Sequence, residues 1–148
     1  MSKKFKGRVV LCGEVSGKAT VSRQAFNTSG SYFENMFAGR TDAAPCTDAA
    51  NKELYGKDLS GAILCIPTTV GSTMGGMALM GMKAIGVGPQ ALLFSKPIDT
   101  LAAAGVLMSD IWKDARIVTV DMLGDEFLET VQMGDPVAIH EDGTVEVG

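Results

Sequence analysis

The run Pro67-Thr68-Thr69-Val70-Gly71-Ser72-Thr73-Met74-Gly75-Gly76 concentrates residues that could do chemistry. It follows the apolar segment Ala62 to Pro67 and precedes a long apolar, glycine-rich segment, so a buried strand ends, a turn of small residues follows and a helix starts. Ser72 or Thr73 then stands at the helix N-cap, where a side-chain oxygen accepts a backbone N–H. The remaining free N–H groups and the positive end of the helix dipole point at the same spot. Such a spot binds a carboxylate or a phosphate, or stabilises a serine alkoxide. The glycines at 71, 75 and 76 permit close approach of a ligand or another backbone. The pattern is not a nucleotide-binding phosphate loop, because the lysine before the Ser/Thr is missing and the glycine spacing differs. A plain cap on a buried helix would use the same residues, and both readings stand at this level.

The remaining reactive residues form weaker patterns. No serine lies in a nucleophile-elbow context. The sole histidine, His140, sits beside Glu141 and Asp142 and reads as a surface strand residue. Asp121 and Asp125 flank Leu123-Gly124 and read as an ordinary turn. Met74, Met77, Met80 and Met82 read as core packing beside glycine. The three cysteines, Cys12, Cys46 and Cys65, form no CxxC pair, so neither a disulfide framework nor a metal-ligand set is expected on this chain. Cys12 and Cys65 read as inert core thiols, and the cysteine usage fits a reducing cytoplasm.

The elements around the turn follow from apolar patterning. Strands are expected at Arg8 to Val15, Ala19 to Gln24 (after a Ser16-Gly17-Lys18 turn), Ala62 to Pro67, Pro89 to Phe94, Arg116 to Val120, Phe127 to Val131, Pro136 to His140 and Thr144 to Val147. Ser72 to Ile85 is expected as the main helix, with a short helix at Asp99 to Ala104 and a helical turn at Leu107 to Trp112. Phe26 to Asp58 is long and irregular, and a loop of that length is usually functional or covered by a partner. Strand–helix–strand units in the middle imply parallel pairing, and hairpin-like strands at both ends imply a second, barrel-like β layer. The 148 residues carry 46% hydrophobic and 20% charged residues, enough for the core of one α/β domain spanning 1–148. The net charge of -4 leaves no broad basic face for nucleic acid, and Lys3, Lys4, Lys6 and Arg8 read as a solvated N-terminus. No segment is long and apolar enough for a membrane span or a signal-peptide core.

Taken in order, Gly13-Glu14-Val15-Ser16-Gly17-Lys18-Ala19, Gln24-Ala25-Phe26-Asn27-Thr28-Ser29-Gly30, Leu54 to Gly61, Leu64-Cys65-Ile66-Pro67, Val70-Gly71-Ser72-Thr73 and Gly88-Pro89-Gln90-Ala91 resemble the small subunit, or swivel domain, of aconitase X. The resemblance covers nearly the whole chain. It implies a swivelling β/β/α domain like the mobile last domain of aconitase, with barrel-like β layers and few helices. It also implies a hydro-lyase that is active only with a large partner subunit, which holds an iron–sulfur cluster as Lewis acid. The catalytic serine of the family matches Ser72, with Gly71, Thr73, Asn27, Thr28 and Ser29 as substrate-binding residues. Where many members carry an aromatic-glycine sequence, this chain has Asn27-Thr28-Ser29-Gly30-Ser31-Tyr32, and its stretch from Phe33 to Ala50 is longer. It thereby resembles the bacterial branch associated with dehydration of cis-3-hydroxy-L-proline more than the archaeal branch acting on a mevalonate phosphate. The competing readings are a mevalonate 5-phosphate dehydratase small subunit and a non-catalytic swivel, carrier or scaffolding domain. Phosphohistidine carriers of related fold carry a Thr-Ser-His context that this chain lacks. The apolar residues Phe33, Met36, Phe37 and Tyr55 are expected to contribute to the partner contact.

Overall fold

The computed structural model describes residues 2–148. The chain runs through β1 (Lys3–Lys6), β2 (Arg8–Leu11), β3 (Val15–Val21), β4 (Phe26–Asn27), α1 (Thr28–Ser31) and α2 (Phe33–Phe37). A long loop leads to β5 (Ile63–Ile66), β6 (Thr69–Val70), α3 (Gly75–Ala84) and β7 (Ala91–Phe94). Next come α4 (Thr100–Lys113), β8 (Val118–Asp121), α5 (Asp125–Thr130), β9 (Pro136–Ile139) and β10 (Thr144–Val147).

Every residue of β5, β7 and β8 is buried, as parallel strands covered on both faces require. They pair parallel with one another and with β3. Alternation divides their side chains: Leu64, Ile66, Leu92 and Phe94 pack with Leu79 and Val106 of the helical layer. Ile63, Cys65, Ala91 and Leu93 pack with Phe127, Val137 and Val145 on the other side. The sheet order is β1-β10-β9-β3-β5-β7-β8-β2, so its outer strands are the consecutive β1 and β2, with Gly7 alone between them. The sheet therefore curls into a nearly closed barrel. A Cβ at Gly7 would lie 2.5 Å from the Asp121 carbonyl oxygen, which is why glycine occupies this corner. β3 makes the opposite corner: Val15–Lys18 pairs with β9 and Ala19–Val21 with β5. The mixed α/β architecture with barrel-like β layers and few helices is the one expected.

Several local expectations are corrected. Ser16, Gly17 and Lys18 are strand residues paired with β9 rather than a turn, because alternate positions along β3 face the open side. The basic start is an edge strand laddered to β10, with Lys3 paired to Glu126 and Lys6 3.2 Å from Asp142. Phe127 to Val131 is not a strand; Asp125 and Glu126 favour a helix start, and α5 results. α4 is one helix instead of two pieces, running straight through Gly105. The 26–58 segment is not purely loop: it forms β4, α1 and α2 and buries Phe26, Tyr32, Leu54 and Leu59, while Phe33, Phe37 and Tyr55 stay exposed. Cys12 is exposed instead of in the core. Met82 is buried, but Met74 and Met77 face outward. No helix among the described residues is long and apolar enough to cross a membrane.

Candidate active site

The Ser72 turn is built by a small second sheet. β4 and β6 pair in parallel, Phe26 with Thr69 and Asn27 with Val70, which carries Asn27 and Thr28 against Gly71. Gly71 has φ +113°, and a Cβ there would lie 2.6 Å from the Asn27 Oδ1, so both conformation and space demand glycine. The Asn27 Oδ1 itself accepts the Gly30 N–H at 3.0 Å. α3 starts at Gly75, three residues later than expected, with Met74 at its N-cap position and no side-chain cap there. Ser72 nevertheless serves the helix start from outside: its Oγ accepts the Met74 N–H at 2.9 Å and its carbonyl oxygen accepts the Gly75 N–H at 3.0 Å. Thr73 makes no such bond. Among the described residues the N–H groups of Gly71, Ser72 and Thr73 have no acceptor, and all three residues are exposed.

Two further ties hold the turn. The start of α3 is pressed on α4, since a Cβ at Gly76 would meet the Leu101 carbonyl oxygen at 2.2 Å and one at Gly105 the Gly76 carbonyl oxygen at 2.3 Å. Asp99 caps α4, accepting the N–H groups of Leu101 at 3.0 Å and Ala102 at 3.1 Å, and also accepts the Thr69 hydroxyl. The helix start is thereby linked to β6, just ahead of Gly71. Behind it, the buried Asp121 carboxylate accepts the Arg8 guanidinium at 2.9 and 2.6 Å and the Ile98 N–H at 2.7 Å. Asp121 is thus an internal brace rather than the ordinary turn residue expected.

A cavity of about 170 Å³ opens between these parts. Of the residues singled out in the sequence, Gly71, Ser72 and Thr28 line it, and Asn27 abuts it through Gly71. Thr73 and Ser29 do not line it; the Ser29 hydroxyl is buried without a partner. Thr69 and Asp99 line it and were missed, because their contact spans thirty residues and no local pattern announces it. Among the described residues Asp99 is the one charged side chain in the lining, and no lysine or arginine contributes.

His140 lies away from this site, with Nε2 2.7 Å from Glu146 and Nδ1 3.3 Å from Glu14. The bond to Glu146, with the charge of Glu14, raises its pKa. The cysteines do not fit an iron–sulfur cluster. Cys12 is exposed, Cys46 and Cys65 are buried, and no three His, Cys, Asp or Glu side chains converge on a metal position among the described residues. Burial pushes the Cys65 thiol up to about 12, away from the thiolate that a cluster ligand needs.

The sequence profile described as the aconitase X swivel domain matches residues 4–147. The chain belongs to this family. Among its relatives, the phosphomevalonate dehydratase small subunit of Archaeoglobus fulgidus is 30% identical over 145 residues, covering 97% of this chain and 98% of that one. The cis-3-hydroxy-L-proline dehydratase of Hypocrea jecorina is 29% identical over 159 aligned residues, 96% of this chain but 25% of that protein. The crystal structure of aconitase X from Thermococcus kodakaraensis in its holo-form superposes with a TM-score of 0.81 at 27% identity, covering 99% of this chain and 98% of that one. The swivel-domain fold is therefore shared with a solved member of the family.

Proposed function

We propose that this chain is the small subunit of an aconitase X-type hydro-lyase, that Ser72 is its catalytic base, and that its substrate is cis-3-hydroxy-L-proline. The observation that carries the reading is the Ser72 turn. A serine hydroxyl is a poor base unless its alkoxide is stabilised. Here the oxygen already accepts the Met74 N–H, at the start of α3, and that bond strengthens when the acceptor becomes charged. Capping and catalysis are thus two uses of one oxygen. The free N–H groups from Gly71 to Thr73 are suited to a substrate carboxylate, with Thr28 and Asn27 completing the near wall. Ser72 takes the proton from the carbon next to that carboxylate. The proton removed and the hydroxide lost from the next carbon together make up the water eliminated.

The cavity is open, and among the described residues no His, Cys, Asp or Glu set converges on a position for the iron–sulfur cluster of the family. The cluster and the rest of the site are therefore assigned to a large partner subunit. Exposed Val70, Met74 and Met77 flank Ser72, with Leu101 at the start of α4, and give that partner an apolar rim to dock on. The fungal relative, of which this chain matches a quarter, supports a division into a large and a small part.

The substrate rests on two points: the Asn27 to Tyr32 sequence, and an anionic side chain, Asp99, in this wall of the cavity, which would repel a phosphate. A second reading, a mevalonate 5-phosphate dehydratase, is favoured by the names of several near full-length relatives at 30–31% identity. Assays of the reconstituted complex on both compounds separate the two. In the same complex, Ser72→Ala should lower kcat by about 10²–10⁴-fold. Loss of the cap alone should lower stability by only ~0.5–2 kcal/mol. If Ser72→Ala retains more than about a tenth of wild-type kcat, then less than ~1.4 kcal/mol of transition-state stabilisation was lost and Ser72 is only a cap.

A further inference from the structure

We infer that Asp99 determines specificity by binding a cationic nitrogen on the substrate, which for the proposed substrate is the ring ammonium. The inference rests on the reading above that the substrate is an amino acid. A carboxylate offers about four lone-pair positions. Three are filled by the Leu101 and Ala102 N–H groups and the Thr69 hydroxyl, which leaves one for a ligand. These bonds also hold the carboxylate in a single orientation against the cavity that Ser72 shares. Among the described residues no cation lines that cavity to neutralise it. The two N–H groups of α4 offset part of the Asp99 charge; an ammonium adds a donor and a full counter-charge, whereas a phosphorylated end would meet like charge. The free N–H groups of Gly71 and Ser72, which line the same cavity, suit a carboxylate. The two features together match the opposite charges of an α-amino acid, with Ser72 in the same lining.

The test measures inhibition of the reconstituted complex by two probes of one shape: L-proline, which carries the ammonium, and tetrahydrofuran-2-carboxylate, which replaces it with an ether oxygen. Wild type should bind L-proline at least tenfold more tightly, in keeping with a hydrogen bond to a charged group. Asp99→Asn keeps a good N-cap, and melting temperature and co-elution with the large subunit check that fold and assembly survive. Its preference for L-proline should collapse towards one. Thr69→Val removes the hydroxyl tie but keeps the charge, so its preference should persist. The inference is overturned if Asp99→Asn retains the preference, if Thr69→Val loses it equally, or if wild type dehydrates cis-3-hydroxy-L-proline without any preference between the probes. If wild type dehydrates only the mevalonate phosphate, the proposed substrate fails first and this role of Asp99 with it.

Discussion

At the scale of single residues, the site depends on Gly71 as much as on Ser72. Its positive φ and the Asn27 carboxamide packed over it leave no room for a side chain. Gly71→Ala should therefore cost about 1–3 kcal/mol through strain and overpacking. It should also shift the Ser72 oxygen, so activity of the complex should fall further than stability does. Urea unfolding and a kcat measurement on the same preparation check both. The setting of Gly71 and Ser72, between a strand end and a helix start, was legible in the sequence because it lies within ten residues. Asp99 and Asp121 were not. A buried carboxylate and a solvent-facing turn carboxylate look alike locally, and only the distant partners Thr69, Arg8 and Ile98 distinguish them. Cys12 shows the converse, an apolar strand neighbourhood that ends one residue too early to bury it.

At the scale of elements, the α3–α4 crossing sets where the Ser72 turn sits. Gly76 and Gly105 let the two backbones touch, and a methyl at either would collide with backbone instead of a movable side chain. Gly105→Ala should destabilise by about 1–3 kcal/mol, read as a lower urea midpoint with an unchanged slope. The same contact explains why α4 runs through Gly105, where the sequence alone suggested a helix end: the glycine serves packing rather than termination. The parallel strands were legible from unbroken apolar runs, whereas β1 was hidden because an edge strand with acidic neighbours tolerates three exposed lysines and buries only Phe5. The β9–β10 hairpin carries a pH dependence through His140. Its folded pKa is raised above the ordinary 6.5, chiefly by the bond to Glu146, so the stabilisation is fully present below about 6.5 and fades as pH rises through the folded value. Wild type and His140→Gln should differ in melting temperature at pH 5.5 and converge above pH 8. A constant difference across that range would show that the imidazole charge is not involved.

At the scale of the whole molecule, the barrel positions the Ser72 turn on a surface ringed by apolar side chains. Phe33 and Phe37, with ring centroids 4.8 Å apart and both more than half exposed, add an aromatic pair on the neighbouring α2. Exposed aromatics and methionines clustered this way mark interfaces rather than solvent-facing surface. Their burial on the large subunit would also exclude water from the open cavity, where an alkoxide base needs it least. The family resemblance was legible because its motifs are spread along the whole chain. The exposed apolar rim was only half legible, since its residues come from α2, β6, α3 and α4, four separate parts of the sequence. The central claim is that this chain supplies the base to a site completed by another subunit. It is tested most directly by titrating purified chain into a fixed amount of purified large subunit while following dehydration of cis-3-hydroxy-L-proline. Neither protein alone should turn over, the mixture should gain activity until a fixed ratio is reached, and chain bearing Ser72→Ala should assemble equally well yet restore at most about a hundredth of the rate. Turnover by either protein alone, or full activity restored by the Ser72→Ala chain, would contradict it.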